Sequence, residues 1–107
     1  MTEDKFENRE RLDSLRKDLI AWMNGKQEVE GELNLAQEKL KELMENELWN
    51  GPTPGYLERH TVLNERVKRL SHELGELEKK ISHGRGAIWR TLNLMRREAI
   101  QTPHSDD

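Results

Sequence analysis

The chain of 107 residues contains no cysteine. Disulfides and thiolate metal sites are therefore excluded, and a reducing compartment fits without being required. Aromatic residues make up only 5% of the sequence, yet three of them are tryptophan. Apolar residues make up 33% and charged residues 36%, which is too polar for an ordinary globular core. No apolar run approaches the roughly 20 residues of a membrane span. The opening Met1-Thr2-Glu3-Asp4-Lys5 is acidic and lacks the apolar core of a signal peptide. The sequence-based expectation is a cytoplasmic, soluble protein for which a membrane partner is disfavoured.

Proline occurs three times, and two of the three share one short stretch, Asn50-Gly51-Pro52-Thr53-Pro54-Gly55. On either side of that stretch stands an apolar repeat. Before it run Leu12, Leu15, Leu19, Trp22, Val29, Leu33, Ala36, Leu40 and Leu43, with Lys26 in the same register. After it run Leu63, Val67, Leu70, Leu74, Leu77 and Ile81. Steps of three and four put each set on one stripe of a helix. A short turn between two such helices folds them back against each other. Disorder is the competing reading of so polar a composition, and the sustained heptads argue against it.

The predicted fold is all-α: an antiparallel coiled-coil hairpin that pairs into a four-helix bundle. It forms one domain over residues 1–101. The first helix spans about 4–49, the turn 50–54 and the second helix about 54–101. Thr53 is the expected N-cap, with Pro54 at the first helical position. Pro103 ends the helical region, leaving 102–107 as a loose acidic tail.

Two glycine sites interrupt the pattern. Asn24-Gly25 lies in the first helix, where the heptad phase is kept. Ser82-His83-Gly84-Arg85-Gly86 lies in the second. There Ile88, Leu92 and Met95 continue out of phase, which predicts a kink or local unwinding at 82–86. One reading of these glycines is a hinge or binding notch. The other is room for bulky neighbours such as Trp22.

A lone pair of helices buries little surface. Ile20, Met23, Leu35, Met44, Leu48, Trp49, Val62, Trp89 and Leu94 fall off the seam and would form apolar patches in a monomer. A homo-oligomer, with a dimer favoured, would cover them. Lys26 and Glu47 in the first helix, and His60 and Gly84 in the second, are seam positions that could set register.

The net charge of −3 conceals an uneven distribution. Residues 27–58 hold eight acids and two lysines. Residues 79–97 hold six cations (Lys79, Lys80, Arg85, Arg90, Arg96 and Arg97) and no acid. Such asymmetry speaks of partners. The expected function is a non-catalytic protein–protein interaction module: an assembly factor, an adaptor or an inhibitor that occupies a partner's surface. Trp22, Met23, Ile88, Trp89 and Met95 are its candidate apolar contacts, and Arg85, Arg90, Arg96 and Arg97 its orienting charges. One alternative is a nucleic-acid-binding accessory protein using 79–97. Another is a purely structural oligomerisation unit.

No catalytic, cofactor or metal site is expected. His72-Glu73-Leu74-Gly75-Glu76 misses the zinc-peptidase pattern, because its fifth residue is Glu76. The four histidines lack a paired i, i+4 spacing. No serine sits in a strand-to-helix elbow, since no strand is predicted.

Overall fold

The computed structural model describes the backbone of residues 2–101 and the side chains of residues 6–99. The predicted acidic tail therefore lies outside the described residues. Two helices make up the fold: α1, Thr2–Asn50, and α2, Tyr56–Gln101. They pack against each other as a helical hairpin, and no strand occurs among the described residues.

The turn shows how local sequence ends one helix and begins the next. Gly51 takes a φ of 86° and its N–H donates to the Glu47 carbonyl at 3.0 Å. That is a left-handed glycine closing a helix C-terminus. The Glu47 carboxylate then accepts the Thr53 N–H at 2.9 Å. An acid at the last seam position of α1 is thus used to hold the turn. Gly55 is left-handed too, with φ 77°, and its carbonyl accepts the Arg59 N–H at 3.0 Å. Gly55 is therefore the N-cap of α2, where Thr53 was expected. The reason is steric: a left-handed residue at 55 cannot lie inside a helix begun at Pro54. The Thr53 hydroxyl instead donates to the Gly51 carbonyl at 3.4 Å.

The chain divides into two compact units. The turn unit is Asn24–Glu78; the terminal unit joins residues up to Met23 with residues from Lys79. In the turn unit Ala36 and Leu70 are buried, and Val29, Leu33, Leu40, Leu43, Leu63, Val67, Leu74 and Leu77 are half-buried. Lys26 keeps its seam position by reaching Glu78 at 3.7 Å. Both side chains are well solvated, so this pair contributes at most about 1 kcal/mol. Near the turn, the Tyr56 and His60 rings meet at 5.7 Å between centroids.

In the terminal unit Leu12, Ile81 and Thr91 are buried. Burial along α2 continues through Gly84, Ile88, Thr91 and Met95 in unbroken steps of four and three. The phase slip expected after Gly84 does not occur. The pattern of apolar residues suggested Leu92, but the seam position is filled by Thr91, at 3% exposure. A polar residue can sit there because its hydroxyl donates to the Ala87 carbonyl at 2.9 Å. The local unwinding expected at 82–86 is likewise absent, and the segment is α-helical throughout.

Gly84 has a steric purpose. A Cβ placed there would stand 2.9 Å from Cζ3 of Trp22, and Leu19 lies at 3.8 Å. The indole occupies the space a side chain would need. Gly25 differs: its Cβ would meet Leu77 at an ordinary 3.8 Å. Gly31 would meet nothing within 4 Å. Of the two readings of Gly84, room for a bulky neighbour is the one the packing supports.

Gly84→Ala should destabilise the chain by about 1–2 kcal/mol, because overpacking outweighs the gain in helix propensity. Gly31→Ala should stabilise it by about 0.5–1 kcal/mol. Combining Gly84→Ala with Trp22→Leu should remove the overpacking, and chemical denaturation of the four-member mutant cycle reads this coupling. Thr91→Val should raise the melting temperature, since it replaces a back-bonded hydroxyl with a methyl in the seam; a lower one would mean that hydroxyl holds the register.

Candidate functional site

The heptad positions sort the surface of the terminal unit. A residue directly after a seam residue lies about 100° around the helix. On two antiparallel helices, residues that follow the seam fall on one flank of the pair. Residues that precede it fall on the other.

This places the nine sequence-predicted residues in three groups. Trp22, Ile88 and Met95 are half-buried seam residues, packed between the helices. They hold the hairpin together and are not open surface. Met23, Arg85, Trp89 and Arg96 directly follow Trp22, Gly84, Ile88 and Met95, and share one flank. Arg90 and Arg97 directly precede Thr91 and Glu98, and lie on the opposite flank. The residues expected to act as one cluster are divided because sequence proximity within a helix scatters side chains around its axis.

The flank carrying Trp89 is the distinctive one. Trp89 is 58% exposed and Met23 42% exposed. Ile20, which follows Leu19, joins them at 59%. The Arg96 guanidinium carbon lies 5.9 Å from the centre of a Trp89 ring, two turns along the same face. That is cation–π range, worth about 0.5–1 kcal/mol at an exposed site. Arg96 Nη1 also donates to Asn93 Oδ1 at 3.1 Å. The guanidinium is thus oriented from two sides, and Trp89 is held beside a charge. The opposite flank carries Leu94 at 43% exposure, with Arg90 and Arg97 exposed around it.

The turn unit has a corresponding flank. Met44 and Leu48 directly follow Leu43 and Glu47, at 48% and 73% exposure. With Leu40 and Val67 they line an open groove of about 580 Å³, rimmed by Lys41 and Glu45. Leu57, which follows Tyr56, is 77% exposed. The other flank has a groove of about 630 Å³ that includes Val62 and Leu63, bordered by Glu42, Glu58 and Arg59. Leu57 was missed in the sequence, although its position directly after a seam residue was a usable signal.

His72 lies 3.9 Å from Glu76 on the exposed face of one helix, as a surface pair. Among the described residues no three His, Asp or Glu side chains gather as a metal site, and no helix is long and apolar enough to cross a membrane.

The three groups should separate in stability measurements. Trp22→Ala should cost about 2 kcal/mol or more through lost seam packing. Arg90→Ala and Arg97→Ala should stay within about 0.5 kcal/mol, as exposed substitutions do. Thermal melts check this, and equal effects at Trp22 and Arg90 would contradict the seam assignment.

Comparison of the chain with protein-family models, with curated proteins and with solved structures returns no significant match.

Proposed function

We propose that the chain is a non-catalytic protein-interaction module, acting through the flank that carries Met23, Arg85, Trp89 and Arg96. The observation that carries this reading is the half-exposed Trp89 with Arg96 stacked beside it, next to Ile20 and Met23. Tryptophan and arginine are the side chains that most often dominate protein interfaces. A neighbouring apolar patch on solvent marks a surface awaiting a partner. Such a module works by occupying a surface, as an adaptor, an assembly factor or an inhibitor does.

The distribution of charge supports a protein partner over nucleic acid. Arg85 and Arg96 lie on one flank while Arg90 and Arg97 lie on the other. The basic segment is therefore not a single stripe tracking phosphates.

The test uses the full chain as an immobilised bait, with Trp89→Ala and Arg90→Ala baits in parallel. Proteins captured by the unmodified chain should be lost with Trp89→Ala and retained with Arg90→Ala. The expected loss of affinity at Trp89 is about tenfold or more. Capture indifferent to Trp89 would sink the reading. Capture that depends equally on all four arginines and disappears in high salt would favour nucleic acid.

A further inference from the structure

We infer that the Trp89 flank of the terminal unit receives an acidic amphipathic helix of another protein. The apolar stripe of that helix meets Ile20, Met23 and Trp89, and its carboxylates meet arginines. The inference rests on the interaction-module reading and names the chemistry of the partner at the same surface.

The flank lies wholly within the terminal unit and carries more charge than the segment 79–97 alone supplies. Along α1 the seam runs back from Trp22 through Leu19, Leu15 and Leu12 to Asn8, whose Nδ2 donates to Glu98 Oε1 at 2.9 Å across the helix pair. Arg16 and Arg9 directly follow Leu15 and Asn8, so they share the flank with Arg85 and Arg96. All four are exposed, and none forms an ion pair among the described residues. Asp13, which follows Leu12, is the one acid among the described residues of this flank. A positive surface is thus left uncompensated in a chain whose net charge is −3.

These four cations are all arginine. A planar guanidinium presents paired N–H donors that match a carboxylate, and it stacks on aromatic faces. Arg96 already stacks on Trp89, and Asn93 accepts one of its N–H groups. No other hydrogen bond among the described residues occupies that guanidinium. It is held in place with donors to spare.

Apolar side chains stand among the arginines. Phe6, two heptads before Ile20, lies on the same flank at 65% exposure. Of the large exposed apolar residues in the terminal unit, Phe6, Ile20, Met23 and Trp89 are on this flank and Leu94 alone is on the other. The other flank also mixes its charges, with Glu7 and Asp18 beside Arg11, Lys80, Arg90 and Arg97.

From Phe6 to Met23 the flank runs about 25 Å along two antiparallel helices. A helix laid beside them buries a stripe at i, i+3, i+4 and i+7. An extended peptide would find no sheet edge to pair with, because the described residues form only α1 and α2. A nucleic acid would leave the apolar residues unused, and both it and an anionic bilayer are opposed by the net negative charge of the chain.

The probe is a labelled synthetic helix of about 15 residues, with leucine at i, i+3, i+4 and i+7 and glutamate on both borders. Its fluorescence anisotropy is titrated with the full chain at low and high salt. Binding is expected, weaker at high salt. Replacing the peptide's glutamates by glutamine should raise the dissociation constant about tenfold or more. Trp89→Ala should do the same. Arg16→Ala and Arg85→Ala should each raise it about threefold or more, whereas Arg90→Ala and Arg97→Ala should stay within about twofold. These side chains are exposed, and unchanged helicity by circular dichroism shows that the hairpin is intact. Equal binding of the glutamine peptide would overturn the carboxylate assignment. Equal effects at Arg16 and Arg90 would overturn the flank. Tighter binding of duplex DNA or of phosphatidylserine vesicles, with the same dependence on Arg16 and Trp89, would replace the acidic helix by a phosphate-bearing partner. No binding of the peptide would overturn the inference, while Trp89-dependent capture of another protein would still uphold the interaction module. Capture indifferent to Trp89 would sink that module whatever the peptide does.

Discussion

Everything in this protein depends on two apolar stripes, each of which is covered only by the other. A helix of this polarity is not stable in water through its backbone bonds alone. The stripes on α1 and α2 must meet, and the steps of three and four keep them meeting along the length of each unit. The seam is narrow, so even its best-covered residues, Ala36, Leu70, Leu12 and Ile81, retain a few per cent of exposure. A seam two residues wide stabilises a helix pair but leaves both flanks of the pair to the solvent.

The irregular residues are intelligible from that constraint. Trp22 is too large for an ordinary seam position, and Gly84 supplies the missing volume. Thr91 is polar, but its hydroxyl is returned to its own helix at Ala87, so the seam can close over it. Glu47 ends the stripe of α1 with an acid because the turn beyond it offers an N–H at Thr53. Gly51 and Gly55 bracket that turn in left-handed conformations no other residue adopts cheaply. Gly84, Thr91 and Glu47 thus depart from the apolar repeat for three local causes, and none interrupts a helix.

What the seam does not cover is the surface on which the proposed interaction rests. Trp89, Met23 and Ile20 are apolar side chains that their own partner helix leaves in water. Their neighbours Arg85 and Arg96 add charge of one sign. The turn unit presents an apolar groove within an acidic stretch. Such asymmetry of polarity and charge adds little to the stability of one chain and is what the proposed interaction role rests on.

The sequence by itself determined the two helices, the turn between them and their antiparallel pairing. Those features rest on periodicity and on the local chemistry of Gly51, Pro52 and Pro54, which short-range rules read directly. It also separated most seam residues from off-seam ones. Only the tertiary structure decided that Thr91 rather than Leu92 enters the seam, because hydrophobicity ranks leucine first whereas register along a continuous helix admits only the residue at the right angle. It decided that Gly55 rather than Thr53 begins α2, since a backbone angle is not visible in side-chain chemistry. It also divided the candidate surface, sending Trp22, Ile88 and Met95 inward and setting Arg90 and Arg97 apart from Trp89. Neighbours in sequence point in different directions around a helix, and only the position of the second helix says which direction is the core.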